Sequence, residues 1–232
     1  MICAIHQPNY IPWLGLYYKI YKSDVFVYLD DAQYSNQADH NVNKIKTSNG
    51  EFRIKVPVEQ HLGDLIFEVR TKDELKWKDK HLKTLQMNYG KAEFFKEVFP
   101  DYSDVLLKKY SSISEMNMAI DKYICDGFGI NTKIVKSSDF NIHSSRERKV
   151  LDICKTVGAS EYLSGNGARV YQKEENFLKE GIKLTYTDYK PIEYKQVWKG
   201  FAPCMSAIDY IFNCGFDWNF VIEEVRRLNN VV

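Results

Sequence analysis

The 232-residue chain lacks any run approaching the ~20 consecutive apolar residues that cross a bilayer. Its first residues also lack the basic stretch, long apolar run and small-residue cleavage site of a secretory signal. Both absences lead to the expectation of a cytoplasmic protein with no membrane span. Charge of one sign is missing as well. With 32 basic and 31 acidic residues the formal charge is +1, so no basic excess draws the chain to nucleic acid or an anionic surface. Cysteine is sparse and scattered. Cys3, Cys125, Cys154, Cys204 and Cys214 form no CxxC pair, which excludes zinc-ribbon and thioredoxin readings and predicts reduced thiols. Four catalytic signatures are absent too: GxGxxG, the GK[ST] ending of a phosphate-binding P-loop, HExxH, and a GxSxG elbow around Ser206. No internal repeat or low-complexity segment occurs.

What remains is an ordinary globular composition, 44% hydrophobic and 27% charged, long enough to bury a substantial core. The opening ICAIH predicts a buried strand over 2–6, WLGLYYKIYK a helix over 13–22, and DVFVYLD a second buried strand over 24–30. Two almost continuously apolar strands around a helix are the pattern of a βαβ unit in a parallel sheet. Groups that do chemistry in such sheets gather at the carboxyl ends of the strands. His6 and Gln7 end the first strand, and Asp30, Asp31 and Gln33 end the second. Asn49-Gly50 then predicts a hairpin, LIFEVRT a further strand, and 73–90 a helix capped by Asp73 and stopped at Gly90. Residues 92–128 read as helical pieces broken near Pro100 and at the serines of 111–114, and the α/β rhythm returns from NTKIVKSS onward. The expected fold is one α/β domain over 1–232, with a mostly parallel Rossmann-like sheet interrupted by a β-hairpin and helical insertion at about 43–130.

Five clusters carry candidate chemistry. His6 beside Asp30, Asp31 and Gln33 suits a general base oriented by an acid, or a metal site; the alternative is a histidine satisfied by a backbone carbonyl. Asn41, Asn43, Lys44 and Lys46 offer donors for phosphate or carboxylate, or form a solvated hairpin edge. Trp77 and His81, four apart, share a helix face, where packing is the common role. The run Ser164-Gly165-Asn166-Gly167 presents backbone N–H groups suited to an anion, with Tyr171 nearby, or is a plain turn. Ser206 and Asp209, three apart, line a cleft or decorate a helix.

Taken together, HQPNYIPWLG, SDVFVYLDDAQY, NVNKIKTSNG, WKDKHLKTLQMNYG, YLSGNGARVY and FAPCMSAIDYIFNCG resemble, in order and over nearly the whole chain, the WbqC-like protein family of bacterial O-antigen and other surface-polysaccharide gene clusters. The resemblance implies transfer of glycine or a related acyl group to an amino sugar. By position it also implies roles for Pro8, Tyr10, Trp13, Tyr89, Phe201 and Pro203, beside the clusters already named. Where such proteins commonly carry Arg within Trp-x-Asn-Arg-Asn, this chain has Val42 between Asn41 and Asn43, so any anion contact falls to Lys44 or Lys46. The opening is also similar to that of adenylate-forming ligases such as pantothenate synthetase, although Pro12-Trp13-Leu14-Gly15 stands where those enzymes have HxGH.

The leading expectation is therefore an acyl- or aminoacyltransferase acting on a nucleotide-linked amino sugar, with ATP or an activated acyl donor supplying the driving force. His6, Asp30 and Asp31 are its catalytic candidates. Gln7, Gln33, Asn41, Asn43, Lys44, Trp77, His81, Ser164, Gly165, Ser206 and Asp209 bind substrate, and Tyr10, Trp13 and Tyr171 stack on sugar or base. Two alternatives stand beside it: a non-catalytic sugar-nucleotide-binding or assembly protein, and a metal-dependent enzyme using His6, Asp30 and His81.

Overall fold

The computed structural model describes residues 1–170 and 172–230; Tyr171 lies outside the described residues. In chain order the elements are β1 (Ile2–His6), α1 (Leu14–Tyr21), β2 (Val25–Tyr28), β3 (Val42–Thr47), β4 (Gly50–Lys55), β5 (Val58–Glu59), β6 (Arg70–Thr71), α2 (Trp77–Tyr89), α3 (Phe95–Leu107) and α4 (Ile113–Phe128). They continue with β7 (Lys133–Lys136), α5 (Arg146–Thr156), β8 (Glu161–Ser164), α6 (Glu174–Lys179), β9 (Lys183–Tyr186), α7 (Ala207–Cys214) and α8 (Trp218–Asn230). This is a mixed α/β chain with a five-stranded parallel sheet, a separate antiparallel hairpin and, among the described residues, eight α-helices. It divides into two compact units. One comprises 1–7, 16–32 and 130–189; the other comprises 8–15, 33–129 and 190–232.

The first unit holds the parallel sheet, in the order β7-β2-β1-β8-β9. The βαβ opening forms as the sequence predicts, with β1 and β2 parallel and in register from Cys3 opposite Val25 to His6 opposite Tyr28. Asp24 secures the start of this pair by accepting from the Ile2 N–H at 2.7 Å. Cys3, Ile5, Val25 and Val27 pack with Leu151, Ile153 and Cys154 of α5, Phe177 of α6, Tyr162 of β8 and Leu184 of β9. Strands covered in this way need no polar alternation, which is why ICAI and VFVY read as unbroken apolar runs. All five cysteines are free.

The second unit is built from the hairpin and helices. β3 and β4 pair antiparallel from Val42–Lys55 to Thr47–Gly50, with Gly50 at a φ of 98° that favours glycine. The structure differs from the sequence expectation in three places. LIFEVRT is not one strand: Leu65 makes an isolated bridge, Ile66–Glu68 make a 3-10 turn, and Arg70–Thr71 pair as a short strand with Val58–Glu59. Pro100 does not break α3, because Phe95, Val98, Tyr102 and Leu106 bury one continuous face on either side of it. Asp73 starts a 3-10 turn, and α2 begins only after Lys76 takes a left-handed conformation. Asp73 still serves the helix entrance by accepting from Trp77 Nε1 and Lys78 Nζ, both at 2.9 Å. Gly90 does end α2, with a right-handed backbone, and a Cβ there would meet the Gln86 carbonyl at 2.7 Å.

Candidate functional site

In the first unit the parallel arrangement places His6, Asp30, Asp31 and Ser164 at the carboxyl edge of one sheet, since each ends or follows β1, β2 or β8. His6 Nδ1 lies 2.9 Å from the Gln7 carbonyl. A carbonyl only accepts, so Nδ1 carries a proton. Asp30 is buried. It accepts from the Ser138 N–H at 3.0 Å, from Ser138 Oγ at 2.7 Å and from Ser137 Oγ at 3.2 Å. Asp31 takes a second bond from Ser137 Oγ and pairs with Lys149 Nζ of α5 at 2.6 Å. The two carboxylates thus tie the end of β2 to the Ser137–Phe140 turn after β7 and to α5. Sequence reasoning passed over Ser137, Ser138 and Lys149; the signal available was a pair of serines directly after a strand.

Ser164 is buried at the end of β8, and Gly165 opens the turn over Asn166–Val170. Neither Gly165 nor Gly167 has a left-handed backbone, and a Cβ on either would meet no neighbour. Packing therefore does not demand glycine there.

In the second unit Tyr10, Trp77 and His81 form a buried aromatic trio, with Trp77 edge-on to His81 at 4.9 Å between ring centroids. Tyr10 OH lies 3.0 Å from His81 Nδ1, and His81 Nε2 donates to the Lys55 carbonyl at 3.1 Å. Both nitrogens of His81 are thereby engaged, and burial pushes its pKa down to about 4, so the ring is neutral. Metal ligation by His81 would break one of these bonds. Among the described residues no three His, Cys, Asp or Glu side chains gather as a metal site. The fully enclosed Tyr10 ring has no face to offer a substrate.

Trp13 is different. Its indole is 37% exposed and lies against Gly15, where a Cβ would come within 2.6 Å of the ring. The Trp13 backbone bridges Ser206, and the Ala207 N–H donates to the Pro12 carbonyl at 2.9 Å. The loop that carries it is held by Asn43, whose Nδ2 donates to the Tyr10 and Ile11 carbonyls at 2.9 and 2.8 Å. Asn41 is spent on Val56, Lys44 pairs with Glu51 at 2.7 Å, and Gln33 is exposed with its backbone bridging Leu65. Val42 is buried, so no cation stands at that position.

Asp209 is wholly buried and accepts from Tyr89 OH at 2.7 Å, Tyr194 OH at 2.7 Å and Gln196 Nε2 at 2.8 Å. Burial raises its pKa against the pull of those three bonds. Lys46 Nζ donates to the carbonyls of Trp198 and Gly200. Together Asp209 and Lys46 hold the irregular segment 190–205. Ser206 Oγ is buried without a hydrogen-bond partner in this structure.

No helix among the described residues is long and apolar enough to cross a membrane. No solved structure matches the chain. An uncharacterized protein of Mycobacterium tuberculosis, Rv1507c, is 35% identical over 216 residues, covering 91% of this chain and 93% of its own length. The WbqC-like protein family matches residues 7–219, which takes in the His6–Gln7 edge only from Gln7 but includes the Trp13 loop, both aspartates, and the Ser164 and Ser206 segments. On that match and that relative, the chain belongs to the WbqC-like protein family.

Proposed function

We propose that the protein transfers an acyl or aminoacyl group, glycine being one such group, to the amine of a nucleotide-linked amino sugar in surface-polysaccharide synthesis. The observation that supports this reading is the position of His6 at the same sheet edge as Asp30 and Asp31. In the reaction the sugar nitrogen attacks the donor carbonyl carbon. The N–C bond forms, the bond to the donor's leaving group breaks, and the amine proton passes to His6 Nε2. Amide formation needs an activated carboxyl group, made with ATP or delivered as an activated acyl donor.

Incubating an amino-sugar nucleotide with the protein and, separately, amino acids with ATP or acyl-coenzyme A tests this by mass spectrometry. A product mass equal to the sugar plus the acyl group is expected, and its loss in His6→Ala with the fold intact. Full turnover by His6→Ala would remove His6 from the chemistry.

A second reading, a non-catalytic sugar-nucleotide-binding protein, is favoured by one observation. The oxygens of Asp30 and Asp31 already receive Ser137, Ser138 and Lys149, as in a structural brace. Under that reading nucleotide sugars raise the melting temperature and no donor yields a product.

A further inference from the structure

Lys19 is the single charged residue of α1, and its side chain is buried, with only 4% of the residue exposed. Its ammonium has three N–H donors, and the Ile5 carbonyl, at 2.7 Å, is its hydrogen-bond acceptor. No carboxylate among the described residues forms an ion pair with it. A buried cation without an anion opposes folding, so its presence calls for a reason outside the fold.

Its place in the sheet supplies one. Strands β1, β2 and β7 succeed one another on one side of β1, and β8 and β9 lie on the other. The strand order therefore reverses between β1 and β8, the point where open parallel sheets take up ligands. The two strands part there. Their register runs from Ile2–Glu161 only to Ala4–Leu163, whereas β1 stays paired with β2 through His6, and β8 stays paired with β9 through Ser164. The His6 carbonyl accepts from Leu29 on the β2 side. By the alternation of a strand, the Ile5 carbonyl faces β8. The Lys19 ammonium occupies that carbonyl at the first position where β8 no longer pairs. Beyond Ser164 follow Gly165 and Gly167, whose missing side chains packing does not explain.

The geometry points to an oxyanion site at the parting of β1 and β8, in which Lys19 Nζ and the open Gly165–Gly167 backbone bind a phosphate or carboxylate of the substrate. This deepens the transferase reading and rests on it for the identity of the substrate. The anion itself has two sources in that chemistry, the diphosphate of a nucleotide sugar or the carboxylate of an amino-acid donor.

Thermal unfolding and calorimetric titration of the full chain with inorganic pyrophosphate, UDP and glycine, in the parent and in Lys19→Met, test the site. A melting-temperature rise of several degrees with at least one of these anions is expected in the parent. In Lys19→Met the affinity should fall at least tenfold, while the variant folds and is no less stable without ligand. Pyrophosphate and UDP acting alone identify the phosphate source, and glycine acting alone identifies the carboxylate. No response in the parent, an unchanged response in Lys19→Met, or a variant less stable than the parent would each overturn the proposal. Binding is read without turnover. A Lys19-dependent shift with no amide product therefore keeps the site and removes the transferase, and a product without the shift does the reverse.

Discussion

The side-chain amide of Asn43 donates 2.8 Å to the carbonyl of Ile11, a buried β-branched residue with a φ of +43°. Left-handed backbone is costly for such a residue, on the order of 1–3 kcal/mol, and persists only where its surroundings enforce it. Asn43 enforces it with a second bond to the Tyr10 carbonyl. Replacing Asn43 with Ala removes both bonds and should cost roughly 1–3 kcal/mol in urea unfolding. Asn43→Asp keeps the shape but cannot donate, so it should be no better than Ala. Parental stability in Asn43→Asp would show that the amide donors are not what holds the loop.

Gly15 carries a separate prediction. A Cβ there would come within 2.6 Å of the Trp13 ring, so Gly15→Ala must displace the indole. Trp13 is one of four tryptophans, and a shift in the tryptophan emission spectrum is expected, absent when Gly15→Ala is made on a Trp13→Phe background. An unchanged spectrum would mean that the indole does not rest on Gly15.

The pH dependence of stability follows from Lys19. Burial lowers its pKa from 10.5 to about 8. Below pH 8 both folded and unfolded chains hold the proton, and the folded chain bears the full cost of the buried charge, roughly 3 kcal/mol. Between pH 8 and 10.5 the unfolded chain holds more protons, so this group makes stability rise with pH. Lys19→Met should therefore gain on the order of 2 kcal/mol at pH 7, after losing the Ile5 hydrogen bond. That gain should shrink as pH approaches 10. A difference between parent and variant that is flat from pH 7 to 10 would contradict this assignment.

Asp209 is expected to act as a latch for 190–205. In Asp209→Ala the hydroxyls of Tyr89 and Tyr194 and the amide of Gln196 lose their common acceptor. The expected cost is about 2–4 kcal/mol, with early proteolytic cleavage within 190–205. Tyr194→Phe removes one bond of the three and should fall between variant and parent. Cleavage at the parental rate in Asp209→Ala would place the restraint elsewhere.

The sequence by itself determined the parallel βαβ opening and the hairpin, because continuous apolar strands and an Asn-Gly turn are local signals with local causes. It also determined that His6 and the two aspartates would share a sheet edge, since strand direction alone puts them there. It did not tell an exposed ring from an enclosed one. Tyr10 and Trp13 lie three apart in one motif, yet one is enclosed against His81 and the other lies open over Gly15. It passed over Lys19 because a lysine in a short helix reads as surface. Only the tertiary structure decided that this lysine is buried beside the carbonyl of Ile5, where β1 leaves β8. Burial and hydrogen-bond partnership depend on segments far apart in the chain, such as β8 and β1, and no local pattern encodes them.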